Sequence, residues 1–154
     1  MATYFLDTSA IIKRYIFEQG QAWILSICNP AQGHDLYISQ AALVEVVAAM
    51  CRRAREKSIS MTERDQLITV FRQDSEQSYN IWPVTSDLYT SAGDLCRSHR
   101  LRAYDAVQLA CILALRQYSL ANLAPDPIFV CADAGLLDIA GSEGLQVENP
   151  NTYP

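Results

Sequence analysis

Hydrophobic residues recur along the chain in two rhythms, and the alternation between them sets the expected architecture. Short, nearly continuous apolar and β-branched runs stand at Tyr4–Leu6, Leu36–Ile38, Tyr79–Thr85, Ile128–Cys131 and Leu145–Val147. Such runs, bounded by polar or glycine-containing segments, predict strands, and Pro83 assigns the third to a sheet edge or a strand end. Between them the apolar positions fall three and four residues apart. That spacing predicts helices over Ser9–Phe17, Gln21–Cys28, Gln40–Lys57, from Ser60 to about Ser78, from Ser86 to about His99, over Leu101–Leu115, and in a short segment ending at Ala140.

Local punctuation sharpens these limits. Ser39 and Ser86 are candidate caps, and Ser60-Met61-Thr62-Glu63 matches a capping box. Gly20, Asn29-Pro30, Gly141 and Gly144 are expected breakers. In the first helix Ile12, Tyr15 and Ile16 are expected inside, with Lys13 and Arg14 towards solvent. Leu43, Val44, Val46, Val47 and Met50 give the long helix an apolar surface too wide for an exposed element. Strands alternating with helices imply a parallel sheet with right-handed crossovers. Five strands fit one three-layer α/β/α domain spanning residues 1–154.

Composition narrows the functional classes. Half of the 154 residues are hydrophobic, enough for a full core without disulfides or structural metal. A net charge of −5 argues against broad attraction to nucleic acid or anionic membrane, so a polyanion would need local basic groups or a metal. The five cysteines have no C-x-x-C pair and read as small core residues in a reducing compartment. With no signal-like N-terminus and no transmembrane-length apolar run, a cytoplasmic protein is expected.

Four acids carry the candidate chemistry. Asp7 follows the first strand directly, and Asp133 follows the fourth after a single residue, Ala132. Both would leave a parallel sheet at its C-terminal rim, where ligands of such sheets bind. Glu45 and Asp105 lie on helices that can lean over the same crevice. Each Asp alone could simply cap a helix. Glu45 is harder to explain so, because Val44 and Val46 flank it and an unpaired carboxylate there would be costly. Four carboxylates gathered together need a compensating cation, and an all-oxygen donor set suits Mg²⁺ or Mn²⁺. His34 and His99 are expected on the surface or in loops. Such an ion would serve phosphoryl chemistry by activating water and stabilising the leaving 3′ oxygen. Thr8 and Ser9 could support a ligating carboxylate, or merely start a helix. Arg97, Arg100 and Arg102 lead up to Asp105 and are placed to touch a scissile backbone, while Arg52-Arg53-Ala54-Arg55-Glu56-Lys57 forms a second basic run.

The segments YFLDTSAIIKRY, ISQAALVEVVAAM, LRAYDAVQLA and FVCADAGLL with GLQVENP resemble, in order and approximate spacing, the PIN-domain family. The resemblance covers essentially the whole chain and is greatest to VapC-type ribonuclease toxins of bacterial toxin–antitoxin pairs. It implies a Mg²⁺- or Mn²⁺-dependent endoribonuclease with Asp7, Glu45, Asp105 and Asp133 as the acidic quartet. It also implies sheet order 3-2-1-4-5, a homodimer, and a small VapB-type antitoxin that blocks the groove. A PIN nuclease acting on DNA or structured nucleic acid, or a non-catalytic PIN module, remains compatible. A receiver-type Mg²⁺-binding module would need a strand-end lysine, but Lys13 and Lys57 both fall on helices; a dehalogenase-like phosphatase would need Asp-x-Asp where Asp7-Thr8-Ser9 stands.

Overall fold

The computed structural model describes residues 1–154. In chain order it contains β1 (Thr3–Leu6), α1 (Thr8–Tyr15), α2 (Gln21–Ile27), β2 (Asp35–Ser39), α3 (Ala42–Arg55), α4 (Met61–Gln77), β3 (Asn80–Trp82), α5 (Ser86–Ser98), α6 (Ala103–Ala121), β4 (Ile128–Val130), α7 (Ala134–Ser142) and β5 (Gln146–Glu148). The five strands form one all-parallel sheet in the order β3-β2-β1-β4-β5, the order that the resemblance implies. Leu6 pairs with Ile38 on one side and Val130 on the other, so β1 sits at the centre. From β1 the chain crosses to β2, and from β4 it crosses the opposite way to β5. The rim between β1 and β4 is therefore the switch point where a crevice opens.

Strand periodicity divides the core in two. Phe5 and Phe129 point to one face, where Leu109, Ile112 and Leu115 of α6 and Leu136 of α7 cover them. Leu6, Ile38 and Val130 point to the other, against Ile11 of α1, Ile24 of α2, Val46 and Met50 of α3 and Phe71 of α4. Ile128–Val130 is thus covered on both sides, as its unbroken apolar run requires.

Several local expectations are corrected. Ser39 ends β2 and accepts the Ala41 N–H at 3.0 Å, so α3 starts at Ala42 rather than Gln40. Thr85, not Ser86, caps α5 through the Leu88 N–H at 3.2 Å. Ser60 does cap α4, accepting from the Glu63 N–H at 3.0 Å. α6 continues past Leu115 to Ala121, because Ser119 is buried and Tyr118 meets Trp82 edge-on at 5.9 Å. Gly141 lies inside α7, whose Leu136, Leu137 and Ala140 are buried and override a glycine penalty of roughly 1 kcal/mol. Leu43 and Val44 are exposed at 37% and 58%, so α3 buries a narrower stripe than its composition suggests.

Lys13 is the largest reversal. Expected in solvent, it is buried, with its Nζ donating to the Gln19 carbonyl at 2.8 Å and to Glu18 at 3.2 Å. Among the cysteines, Cys28, Cys111 and Cys131 are core residues as expected, whereas Cys96 is exposed. Gly20 holds φ +85°, and a Cβ there would fall 2.3 Å from the Pro150 carbonyl oxygen; only glycine lets the chain pass this close to its C-terminal segment.

Candidate active site

A cavity of about 340 Å³ opens at the switch point, and Asp7, Glu45, Asp105 and Asp133 all line it. The topology brings them there. Asp7 is the first residue beyond β1, and its N–H donates to the Val130 carbonyl at 3.1 Å, which pins it to the β1–β4 seam. Asp133 begins α7 just beyond β4. Glu45 and Asp105 occupy the first turns of α3 and α6, the helices that flank the seam.

Hydrogen bonding fixes three of the four. Asp7 Oδ1 accepts from the Ser9 hydroxyl at 2.6 Å and from the Ala10 N–H at 3.0 Å, capping α1. Ser9 in turn accepts the Ala132 N–H at 2.9 Å, tying the end of β1 to the segment that leads into Asp133. Asp133 Oδ1 accepts from the Gly135 and Leu136 N–H groups at 2.9 and 3.2 Å. Glu45 Oε1 accepts from Gln108 Nε2 at 2.9 Å, and the same nitrogen lies 3.4 Å from Thr8 Oγ1. Asp105 accepts from no protein donor. Asp7 and Asp133 are therefore caps as well as cavity acids, while Asp105 has no capping role to explain it.

No lysine, arginine or histidine forms an ion pair with any of the four acids. The consequences appear in their proton affinities. Burial pushes the Asp7 carboxyl up to about 6, against the opposing bonds from Ser9 and Ala10, with Asp105 adding to the rise. Burial likewise raises Glu45 to about 7, opposed by the Gln108 bond and reinforced by Asp7 and Asp105. Asp105 is raised by burial and by Asp133, with Arg102 partly offsetting.

This donor set fits a hard divalent cation. Asp105 keeps both carboxylate oxygens and Asp133 one without a hydrogen-bond donor, whereas Asp7 also receives the Cys131 thiol and Glu45 the Thr8 hydroxyl. Nowhere do three His, Cys, Asp or Glu side chains already stand as a closed ligand group. The acids share a cavity and not a preformed coordination sphere.

The other expected residues divide. Thr8 and Ser9 line the cavity, as does Arg102; Arg100 lines an adjoining cavity with Asp105 and Asp133, and Arg97 lines neither. His34 lies beside Tyr4, and His99 Nε2 stands 2.6 Å from Glu143 Oε1, so neither histidine reaches the acids. Two features escape a reading of the residues alone. Gln108 is 2% exposed and orients Glu45, while its Oε1 is buried without a partner; the only signal is an amide in an apolar helix face, one turn after Asp105. Glu18 also lines the cavity, but Lys13 at 3.2 Å and Arg53 at 2.8 Å neutralise it.

The family model described as PIN domain matches residues 4–122. No curated protein matches the chain. Among solved structures, a chain of VapBC2 from Rickettsia felis, bound to a DNA fragment from its promoter, is similar with a TM-score of 0.60 at 14% identity, covering 96% of this chain and 98% of that one. A chain of VapBC-1 from nontypeable Haemophilus influenzae gives 0.61 at 13% identity, covering 96% and 98%. A chain of a toxin–antitoxin complex from Klebsiella pneumoniae gives 0.59 at 18% identity, covering 97% and 98%.

Proposed function

The chain belongs to the PIN-domain family, a family of nucleases, and from that premise we propose that it is a Mg²⁺- or Mn²⁺-dependent endoribonuclease and the toxin of a type II toxin–antitoxin pair. One observation carries the reading: four carboxylates line a single cavity and none of them forms an ion pair. Asp7 is buried and Glu45 and Asp105 are half-buried, so gathering their charges is costly unless a cation compensates them. A divalent ion bound there would supply that charge, together with Lewis-acid assistance to hydrolysis of a phosphodiester.

The chain's own residues have distinct roles. Asp7 and Asp105 are the principal ligands, with Glu45 and Asp133 completing the acidic set. Ser9 orients the Asp7 carboxylate and Gln108 that of Glu45 for the cation. Thr8 supports the wall between them. Arg102 and Arg100, both exposed and free of ion pairs, hold the RNA backbone beside Asp105, with Arg97 at the periphery. The proposed partner is a small VapB-type antitoxin, in keeping with the complexes in which the similar chains were solved, and the active form is a homodimer of single-domain chains in the cytoplasm. No helix is long and apolar enough to cross a membrane.

Incubating the purified chain with cellular RNA tests this reading. Cleavage is expected with Mg²⁺ or Mn²⁺ and none with EDTA, and a single-stranded DNA of matched sequence should survive. Cleavage that persists in EDTA, or that is confined to DNA, would overturn it.

A further inference from the structure

The basic run at the end of α3 borders the acids. A second cavity, of about 380 Å³, lies between α3 and the start of α6 and shares Thr8, Glu45, Ala49 and Arg52 with the acid cavity. Its volume falls in the range of roughly 300–1,000 Å³ usual for small-ligand pockets. Val44, Ala48 and Ala49 give it an apolar floor, Arg52 and Arg55 a cationic rim, and Tyr104 an aromatic wall.

Tyr104 is 52% exposed, stacks on no other aromatic ring of the chain, and sits on the rigid first turn of α6 next to Asp105. Five of the twelve lysines and arginines are committed to ion pairs, namely Lys13, Arg14, Arg53, Arg64 and Arg116. Arg52 and Arg55 are not among them, nor are Arg100 and Arg102 on the opposite side of the acids. In a chain of net charge −5 these unpaired guanidinium groups are therefore concentrated on both flanks of one acidic cavity. Positive flanks with an apolar, aromatic recess at one side match a single strand whose bases are splayed from its backbone.

We infer that the α3–α6 cavity is a nucleobase subsite: the base beside the scissile phosphodiester of a single-stranded RNA stacks on Tyr104, and Arg52 and Arg55 hold the adjoining phosphates. The inference rests on the ribonuclease reading and extends it to the selection of the cleavage site. Because Tyr104 precedes Asp105 on one helix, the distance between the stacked base and the acids is set by the backbone. A base that stacks well, rather than one particular hydrogen-bonding edge, is selected.

The test uses the full chain and its Tyr104→Ala, Tyr104→Phe and Arg52→Ala/Arg55→Ala variants, with a random-sequence single-stranded RNA as the probe. Anisotropy titration in EDTA reads binding without cleavage, and sequencing of the ends produced with Mn²⁺ reads site choice. Tyr104→Ala is expected to weaken binding about tenfold, the loss of one stacked base, and to flatten the base preference at one position beside the cut, while Tyr104→Phe behaves as the parent. The double arginine variant should lower the slope of log affinity against log salt by about 1.4, roughly 0.7 per lost phosphate contact of a single strand. Residues that serve only as a solvated helix face would leave both readouts unchanged, and that result overturns the inference even if the parent cleaves RNA normally. A parent that binds RNA through Tyr104 but cleaves nothing supports the subsite and removes the nuclease reading. A parent that neither binds nor cleaves removes both.

Discussion

Replacing Asp105 with asparagine is expected to lower metal-dependent RNA cleavage by about 10³-fold or more, equivalent to roughly 4 kcal/mol of transition-state stabilisation, while the fold stays intact. The substitution is nearly isosteric. Asp105 accepts no hydrogen bond from the protein and caps no helix, so its carboxylate has no structural duty to lose. Relief of repulsion with Asp133 should leave the variant as stable as the parent or slightly more so. Single-turnover cleavage rates beside thermal melts would check the prediction. An unfolded Asp105→Asn protein would assign the residue to the fold, and an undiminished rate would remove it from the chemistry.

The metal-free protein should lose stability as pH rises through about 6 to 7, and a divalent ion should reverse the loss. The sign follows from the direction of the shifts. Asp7 and Glu45 hold protons more tightly folded, near 6 and 7, than as ordinary carboxyls. Their contribution is fully present below about pH 4 and disappears as pH climbs through the folded values. For buried Asp7 the conversion gives a loss on the order of 3 kcal/mol. Glu18 works the other way, since Arg53 and Lys13 lower its proton affinity against the opposing effect of burial, but its stabilisation is already in place above pH 5 or so. Thermal melts in EDTA from pH 5 to 8 should therefore fall with pH, and Mn²⁺ should raise the melting temperature more at pH 8 than at pH 5. Asp7→Asn keeps an acceptor for Ser9 and Ala10 and should flatten the pH dependence. A metal-free protein that grows more stable across this window would contradict the electrostatic account.

The acids could be read from the sequence because each sits at a junction that local pattern reveals. Asp7 and Asp133 stand where an apolar strand gives way to a helix, and Glu45 interrupts a run of valines. Strand order, by contrast, came from resemblance; the residues alone establish alternation and not which strands are neighbours. What stayed hidden depends on contacts distant in sequence. Lys13 looked like a surface residue until the turn at Glu18 and Gln19 closed over it. Gln108 looked like a stray amide, and its meaning comes from Glu45, 63 residues away. The Ser9 bond to Ala132 spans 123 residues and explains why a serine follows Asp7 at this distance. Helix limits moved for a related reason. Ser39 satisfies a backbone N–H at the strand's end, so α3 begins only when that turn is complete.

Antitoxin and dimer contacts would add protein groups around the cavity, but the requirement at its centre is independent of them. None of the four carboxylates is held in an ion pair, and the central claim is that a divalent ion binds among them. Calorimetric titration of Mn²⁺ into the purified chain and into its Asp7→Asn variant at neutral pH is the most direct measurement. The account predicts saturable binding to the parent with release of protons, seen as a heat that depends on the buffer, and its loss in the variant. Equal binding by both proteins, or binding by neither, would contradict it.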